Sequence, residues 1–206
     1  MKKVYLAILS LFIVGLPGFS QNKLTADQVL AKSVALLTNA KGISADFSIS
    51  GGGTSGKGTI KSSGTKFNVV MPTFEVWFNG KNMYTYNKRS SETTLVAPTA
   101  SEIAESNPLM YIKGAQGSYT ASFSAEKKTG KYIIDLVPKK KTNEMKKLTL
   151  TIRASDYSPE KIVAVPKSGS QIVISISQLK TNQNFVASVF EYPKSKYPKV
   201  EVIDLR

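Results

Sequence analysis

Apolar and polar residues alternate with period two along most of this chain, and no other feature constrains its fold as much. In 45-ADFSIS-50, Ala45, Phe47 and Ile49 share one side, and 66-KFNVVM-71 groups Phe67, Val69 and Met71 in the same way. The pattern returns in 131-KYIIDLV-137, 147-KLTLTIR-153, 160-EKIVAV-165, 170-SQIVISIS-177 and 185-FVASVFEY-192, with turn-rich pieces such as 155-SDYSPE-160 and 166-PKSG-169 between them. Successive strand side chains point to opposite faces, so each segment offers one apolar face and one wet face. Short spacers join such strands as hairpins, which predicts an antiparallel, meander-like sheet of roughly ten strands. The stretch 51-GGGTSGKG-58 reads as a flexible hairpin tip. Asn79-Gly80, set between aromatic runs, reads as a two-residue turn with positive φ at both central positions.

Two interruptions have helical character. In 25-TADQVLAKSVALLTNA-40, Thr25 and Gln28 stand at capping-box spacing and Val29, Leu30, Val34 and Leu37 form one stripe, with Gly42 suited to a left-handed stop. In 97-APTASEIAESNPLMYIKG-114, Thr99 and Glu102 form a second capping box, Asn107-Pro108 opens a third short helix and Gly114 ends it. A single large sheet with one apolar side must cover that side, and these helices are the available cover.

The first twenty residues, with Lys2, Lys3, an apolar run from Val4 to Val14 and 15-GLPGFS-20, have the layout of a secretory signal peptide cleaved after Ser20. An uncleaved membrane anchor is the alternative, but the run is short of the roughly 20 residues a spanning helix needs. Residues 21–206 are then expected to form one domain outside the cytoplasm, monomeric, burying about 70% of its unfolded surface. The formal charge of +14, or +12 without Lys2 and Lys3, favours anionic partners, among which export makes nucleic acid the poorest fit. A merely solubilising charge is the competing reading.

With no histidine and no cysteine, the commonest general bases, nucleophiles and zinc ligands are missing, and no metal site or cofactor is expected. The carboxylates show no pairing motif, Ser62-Ser63-Gly64 is not a nucleophile turn, and 51-GGGTSGKG-58 lacks phosphate-loop spacing and context. The chain therefore reads as a binder with no catalytic residues. The basic run 138-PKKKTNEMKK-147 is either a solvated hairpin loop or a docking element for an acidic partner or anionic lipid. Along 74-FEVWFNGKNMYTY-86, Phe74, Val76 and Phe78 alternate with Glu75 and Trp77, while Tyr84 and Tyr86 alternate with Met83 and Thr85, so both faces carry large apolar groups. Such a hairpin is buried on both faces or lines a cavity on one.

The order of these features resembles the periplasmic outer-membrane lipoprotein carriers of the LolA type. The resemblance rests on the N-terminal helix, 45-ADFSIS-50, the Gly-rich hairpin, Met71-Pro72, the Asn-Gly-Lys hairpin followed by 84-YTYN-87, Glu92, the Asn-Pro helix, Leu136-Val137-Pro138 before 148-LTLTI-152, and the ending 190-FEYPKSKYPKVEVIDL-205. It implies a mainly β fold with some α, an incomplete, half-open antiparallel barrel of about ten to eleven strands, and a lid of short helices over a hydrophobic cavity. It also implies a carrier that shields the acyl chains of lipoproteins, received from an inner-membrane transporter and passed to an outer-membrane acceptor. Combined with strand alternation, it makes Phe47, Ile49, Phe67, Val69, Met71, Trp77, Tyr84 and Tyr86 the expected sheet lining, and Leu109, Met110 and Ile112 the lid lining. Met71 stands where well-studied members have a lid-latching arginine, and the connection from Pro72 to Asn79 is short, as in Bacteroidetes-type relatives. A carrier of another lipid or glycolipid, and an envelope-sensing interaction domain, are the rival readings.

Overall fold

The computed structural model describes residues 24–206, so the expected signal segment lies outside the described residues. Helix α1, Ala26–Asn39, begins with the reciprocal Thr25–Gln28 box and buries Val29, Leu30, Val34 and Leu37. Twelve strands follow: β1 Ile43–Gly51, β2 Thr54–Ser63, β3 Lys66–Val70, β4 Phe74–Phe78, β5 Met83–Asn87, β6 Glu92–Val96, β7 Tyr119–Phe123, β8 Lys131–Pro138, β9 Met145–Arg153, β10 Pro159–Pro166, β11 Ile172–Lys180 and β12 Glu201–Asp204. Between β6 and β7 lie α2, Ala100–Ser106, and α3, Met110–Lys113.

All the strands belong to one sheet, in the order β12-β6-β5-β4-β3-β2-β1-β11-β10-β9-β8-β7. Laid flat it would be about 50 Å wide, and sheets of this size curl. Buried apolar residues of β1 to β5 and β8 to β11 join those of α1 and α3 in one continuous core, so the apolar face wraps inward. The wrap stays open, with β12 and β7 as its edges. Neighbours are antiparallel except β12, which runs parallel to β6 and is one strand beyond the expected count. α1 lies over β7 and β8 and packs on α3.

Several local expectations change. Only Gly52 and Gly53 lie outside strands in the Gly-rich stretch, both at positive φ, while Gly56 and Gly58 are inside β2. The Asn79-Gly80 connection is a four-residue loop: the Asn79 side chain accepts from the N–H groups of Lys81 (3.1 Å) and Asn82 (2.9 Å), and only Gly80 has positive φ. α1 ends on Ala40 in extended conformation, and Gly42 is needed because a Cβ there would overlap the Gln183 carbonyl and crowd Phe185. The segment 185–192 is not a strand. It forms a 3₁₀ turn at Ala187–Phe190, with Phe190 buried and Val186 exposed, and belongs to a C-terminal strap that packs against β3 and β4 before β12.

Candidate functional site

The inward rows of the sheet follow from the strand register. Ile49 stands opposite Ile174 and Gly56, Phe47 opposite Ile176 and Gly58, and Val69 opposite Ile60 and Val76. Gly56 and Gly58 put no side chain on this face. A Cβ on Gly56 would come 2.8 Å from the Met71 methyl, and one on Gly58 2.8 Å from the Phe47 ring and 2.6 Å from the Val70 carbonyl oxygen. Phe47 and Met71 thus lie directly over bare backbone, which seats them in the floor of a hollow.

The other wall is the lid. Thr99 and Glu102 cap α2 reciprocally (Thr99 N–H to Glu102 Oε2, 2.7 Å; Glu102 N–H to Thr99 Oγ1, 3.3 Å), and the Thr99 backbone N–H holds the Glu102 carboxyl below the usual range. α2 buries none of its side chains. The chain then dips inward: Asn107 accepts from the Leu109 N–H (3.0 Å), and Leu109 and Ile112 are fully buried anchors. The expected Asn107 cap is thus realised as a turn, and α3 starts two residues after Pro108.

Sheet and lid enclose a cavity of about 450 Å³. Its floor is Phe47, Ile49, Val69, Met71, Phe74, Val76 and Ile174, its roof Pro108 and Tyr111, and its polar rim Thr85, Asn87, Glu105 and Ser106. Burial pushes the Tyr111 phenol up, and the charge of Glu105 adds to the effect, so Tyr111 stays a neutral donor. Glu105 accepts a hydrogen bond from Ser101 Oγ (3.2 Å). This size is within the range of small-molecule pockets, apolar with a few polar groups at one side. Among the described residues no group of histidine, cysteine or carboxylate side chains could hold a metal. A wider depression of about 770 Å³ shares Phe47 and Met71 with this cavity and is edged by Asp46, Ser48, Lys57, Thr59, Lys88, Ser175 and Ser177.

The sequence profile described as outer membrane lipoprotein carrier protein LolA matches residues 16–167. The chain belongs to the LolA family. No curated protein matches this LolA-family chain. Among solved structures, an uncharacterized conserved protein from Thermus thermophilus superposes with a TM-score of 0.58 at 12% identity, covering 87% of this chain and 98% of that one, and shares its fold. A putative outer membrane lipoprotein-sorting protein domain from Vibrio parahaemolyticus gives a TM-score of 0.44 at 11% identity, covering 84% and 100% of the two chains. The Pseudomonas aeruginosa MucA/MucB complex structure gives 0.44 at 12% identity, covering 81% of this chain and 60% of that one.

Of the residues expected to line the cavity of this LolA-family chain, Phe47, Ile49, Val69 and Met71 do so. Phe67 sits one row deeper, fully buried against Phe78 with ring centroids 5.3 Å apart. Leu109 and Ile112 are buried in the core and Met110 is half-buried, and none of the three lines the cavity, whose roof is formed by the neighbouring Pro108 and Tyr111. Trp77, Tyr84 and Tyr86 lie on the opposite face of the sheet. The strap covers them there: Tyr192 meets Trp77 edge-on (5.4 Å) and stacks on Tyr84 (5.1 Å), while Tyr197 packs on Tyr86 (4.5 Å). Asn79 Nδ2 donates to Glu191 (2.9 Å) and Thr93 Oγ1 to Tyr192 Oη (3.2 Å), so the strap is tied down by polar bonds as well. Phe74 and Val76 line the cavity in their stead, and strand phase alone could have found them. Lys88 Nζ donates to the Met71 carbonyl (2.7 Å), fastening the backbone at the position of the missing arginine to the sheet and not to the lid.

Proposed function

We propose that this protein is a periplasmic, non-enzymatic carrier that holds the acyl chains of lipoproteins in the cavity between sheet and lid during transfer from the inner to the outer membrane. The observation that carries this reading is the apolar hollow itself, floored by Phe47, Met71, Phe74 and Val76 and roofed by a helix pair with unequal anchoring. Burying hydrocarbon contributes about 0.8 kcal/mol per CH₂, so an acyl chain in water gains strongly from such a space. Release requires the cover to lift. α2, with no buried side chain, is the element with least to lose, while Leu109 and Ile112 keep α3 seated. Met71 supplies an adaptable side chain at the floor.

The test is to add purified mature protein to spheroplasts making radiolabelled lipoproteins and to look for acylated lipoprotein in the soluble fraction. Release in a one-to-one complex, lost in Ile49→Glu while the variant keeps its circular dichroism spectrum, is the expected result. No release by folded protein, with a different lipid extracted from it, would replace lipoprotein by that lipid. A stable protein partner with no lipid would favour the sensing role instead.

A further inference from the structure

The meander brings five hairpin tips to one end of the molecule: β1–β2, β3–β4, β5–β6, β8–β9 and β10–β11. The pairing of Gly51 with Ile172 sets the last two beside the first three. The cavity lies at this end, because Met71 and Phe74 bracket the β3–β4 tip and Asn87 immediately precedes the β5–β6 tip. The charges are unevenly placed. The central tips are uncharged, with Gly52-Gly53 and Pro72-Thr73, whereas one flank carries Lys88 and Arg89 beside Glu92 and Glu201, and the other, more strongly basic, carries Lys139, Lys140, Lys141 and Lys167 with Glu144 as its one carboxylate. The Lys167 N–H bonds the Glu144 carbonyl (2.9 Å) and its ammonium bonds the Lys141 carbonyl, so the two tips of that flank are joined. Among the described residues, Arg89, Lys139, Lys140, Lys141 and Lys167 make no ion pair, whereas Lys131, Lys147 and Arg153 do. Val137 is 53% exposed beside the larger basic flank.

We propose that this end of the molecule docks on an anionic phospholipid bilayer, its two basic flanks on the headgroups and the cavity mouth facing the membrane between them. An acidic peptide would need a continuous basic groove. Two separated cationic flanks around an apolar opening, whose rim carries Glu105 as its one charged group, instead match a plane that is anionic at its surface and apolar beneath. Lysine side chains of mixed reach suit a fluid surface with no set spacing. The docking surface stands on charge and topology; its use in loading or unloading cargo rests on the carrier reading.

The experiment is co-sedimentation of cargo-free mature protein with phosphatidylcholine vesicles with and without phosphatidylglycerol, at low and high salt. The comparison is between K139E/K140E/K141E, at the mouth end, and K81E/K127E/K128E, which changes net charge equally at the opposite end. The wild type is expected to bind only the anionic vesicles, and less as salt shortens the range of charge interactions. At about fivefold per lysine, the mouth-end variant loses roughly 100-fold or more, and the opposite-end variant keeps most of its binding. Equal losses in the two variants, equal binding to neutral vesicles, or no binding by the wild type at low salt would each overturn the proposal, the last pointing to an acidic protein partner. Uptake of a fluorescent fatty acid without vesicles separates the two ideas: docking without uptake removes the carrier reading alone, and uptake without docking removes the docking proposal alone.

Discussion

The two halves of the sheet solve the same covering problem differently. Over β8 to β10 the inward face is built from Ile134, Leu136, Leu148, Leu150, Ile152 and Ile162, each 1% exposed or less, and the half closes into a solid core beneath α1. Over β1 to β5 the face mixes Phe47, Met71, Phe74 and Val76 with the bare glycines of β2, under Pro108 and Tyr111 of the lid, and a hollow of about 450 Å³ remains. Branched aliphatics facing a regular helical stripe interdigitate to native density. Phe47 and Met71 over the glycines of β2, roofed by Pro108 and Tyr111, leave space. One half thus supplies stability and the other volume.

Truncation should separate the halves most sharply. Leu150→Ala removes a fully buried side chain from the solid half and is expected to cost about 2–5 kcal/mol in urea unfolding, with fatty-acid affinity unchanged. Ile49→Ala, at the half-buried cavity edge, should cost about 1 kcal/mol or less in stability and weaken the probe roughly tenfold, about two methylenes of lost contact. Equal stability losses at the two sites would mean that the hollow half is as tightly packed as the other.

The glycines of β2 sharpen the comparison at smaller scale. At Gly58 an added methyl meets the Val70 backbone carbonyl as well as the Phe47 ring, so Gly58→Ala should destabilise by about 1–3 kcal/mol. At Gly56 it meets only the mobile end of Met71, so Gly56→Ala should stay within about 1 kcal/mol of the wild type while lowering probe affinity. Thermal denaturation and probe titration of the two variants check both halves of the statement.

Much of this was legible in the sequence. Alternation located β1, β3, β8, β9, β10 and β11 and grouped Phe47 with Ile49 and Phe67 with Val69 and Met71 on the inward face. Period two reports the face but not the row, and so does not reveal that Phe67 is a row deeper than Val69 and already packed on Phe78. In β4 and β5, phase and size pointed in opposite directions. Phase separates Trp77, Tyr84 and Tyr86 from Phe74 and Val76, while bulk makes the aromatics attractive as lining. Their partners Tyr192 and Tyr197 lie more than 100 residues further on, beyond any local pattern. The strap hid for a related reason: 185-FVASVFEY-192 alternates like a strand, yet it crosses over β3 and β4 and pairs with neither. Trp77 is the only tryptophan in the chain, so its fluorescence should report on the strap, shifting in Tyr192→Ala and staying nearly unchanged on cargo binding.

The smallest expected effect concerns acid. Among the described residues the ion pairs of the sheet strands are concentrated in the solid half, as Lys131–Glu160, Lys147–Asp135 and Arg153–Glu160, with Asp156 at the adjacent turn, while at the far edge Asp204 of β12 pairs with Arg206. Lys131 holds the Glu160 carboxyl below its ordinary value, against the opposing effect of burial and with help from Arg153. A depressed folded-state value means that the contribution is complete above the unfolded value, near 4.5, and is lost as pH falls through the lower folded one. These pairs are partly solvated, so the loss per pair should be under about 1 kcal/mol. Urea midpoints measured between about pH 6 and pH 3 should therefore fall modestly in the wild type and less in Glu160→Gln, whose partners no longer depend on that proton. Probe affinity at pH values where the protein remains folded should not follow the Glu160 titration, because Glu160 is not part of the cavity lining. An affinity that tracked Glu160 would show that the solid half controls the hollow one, and the division of labour between them would have to be abandoned.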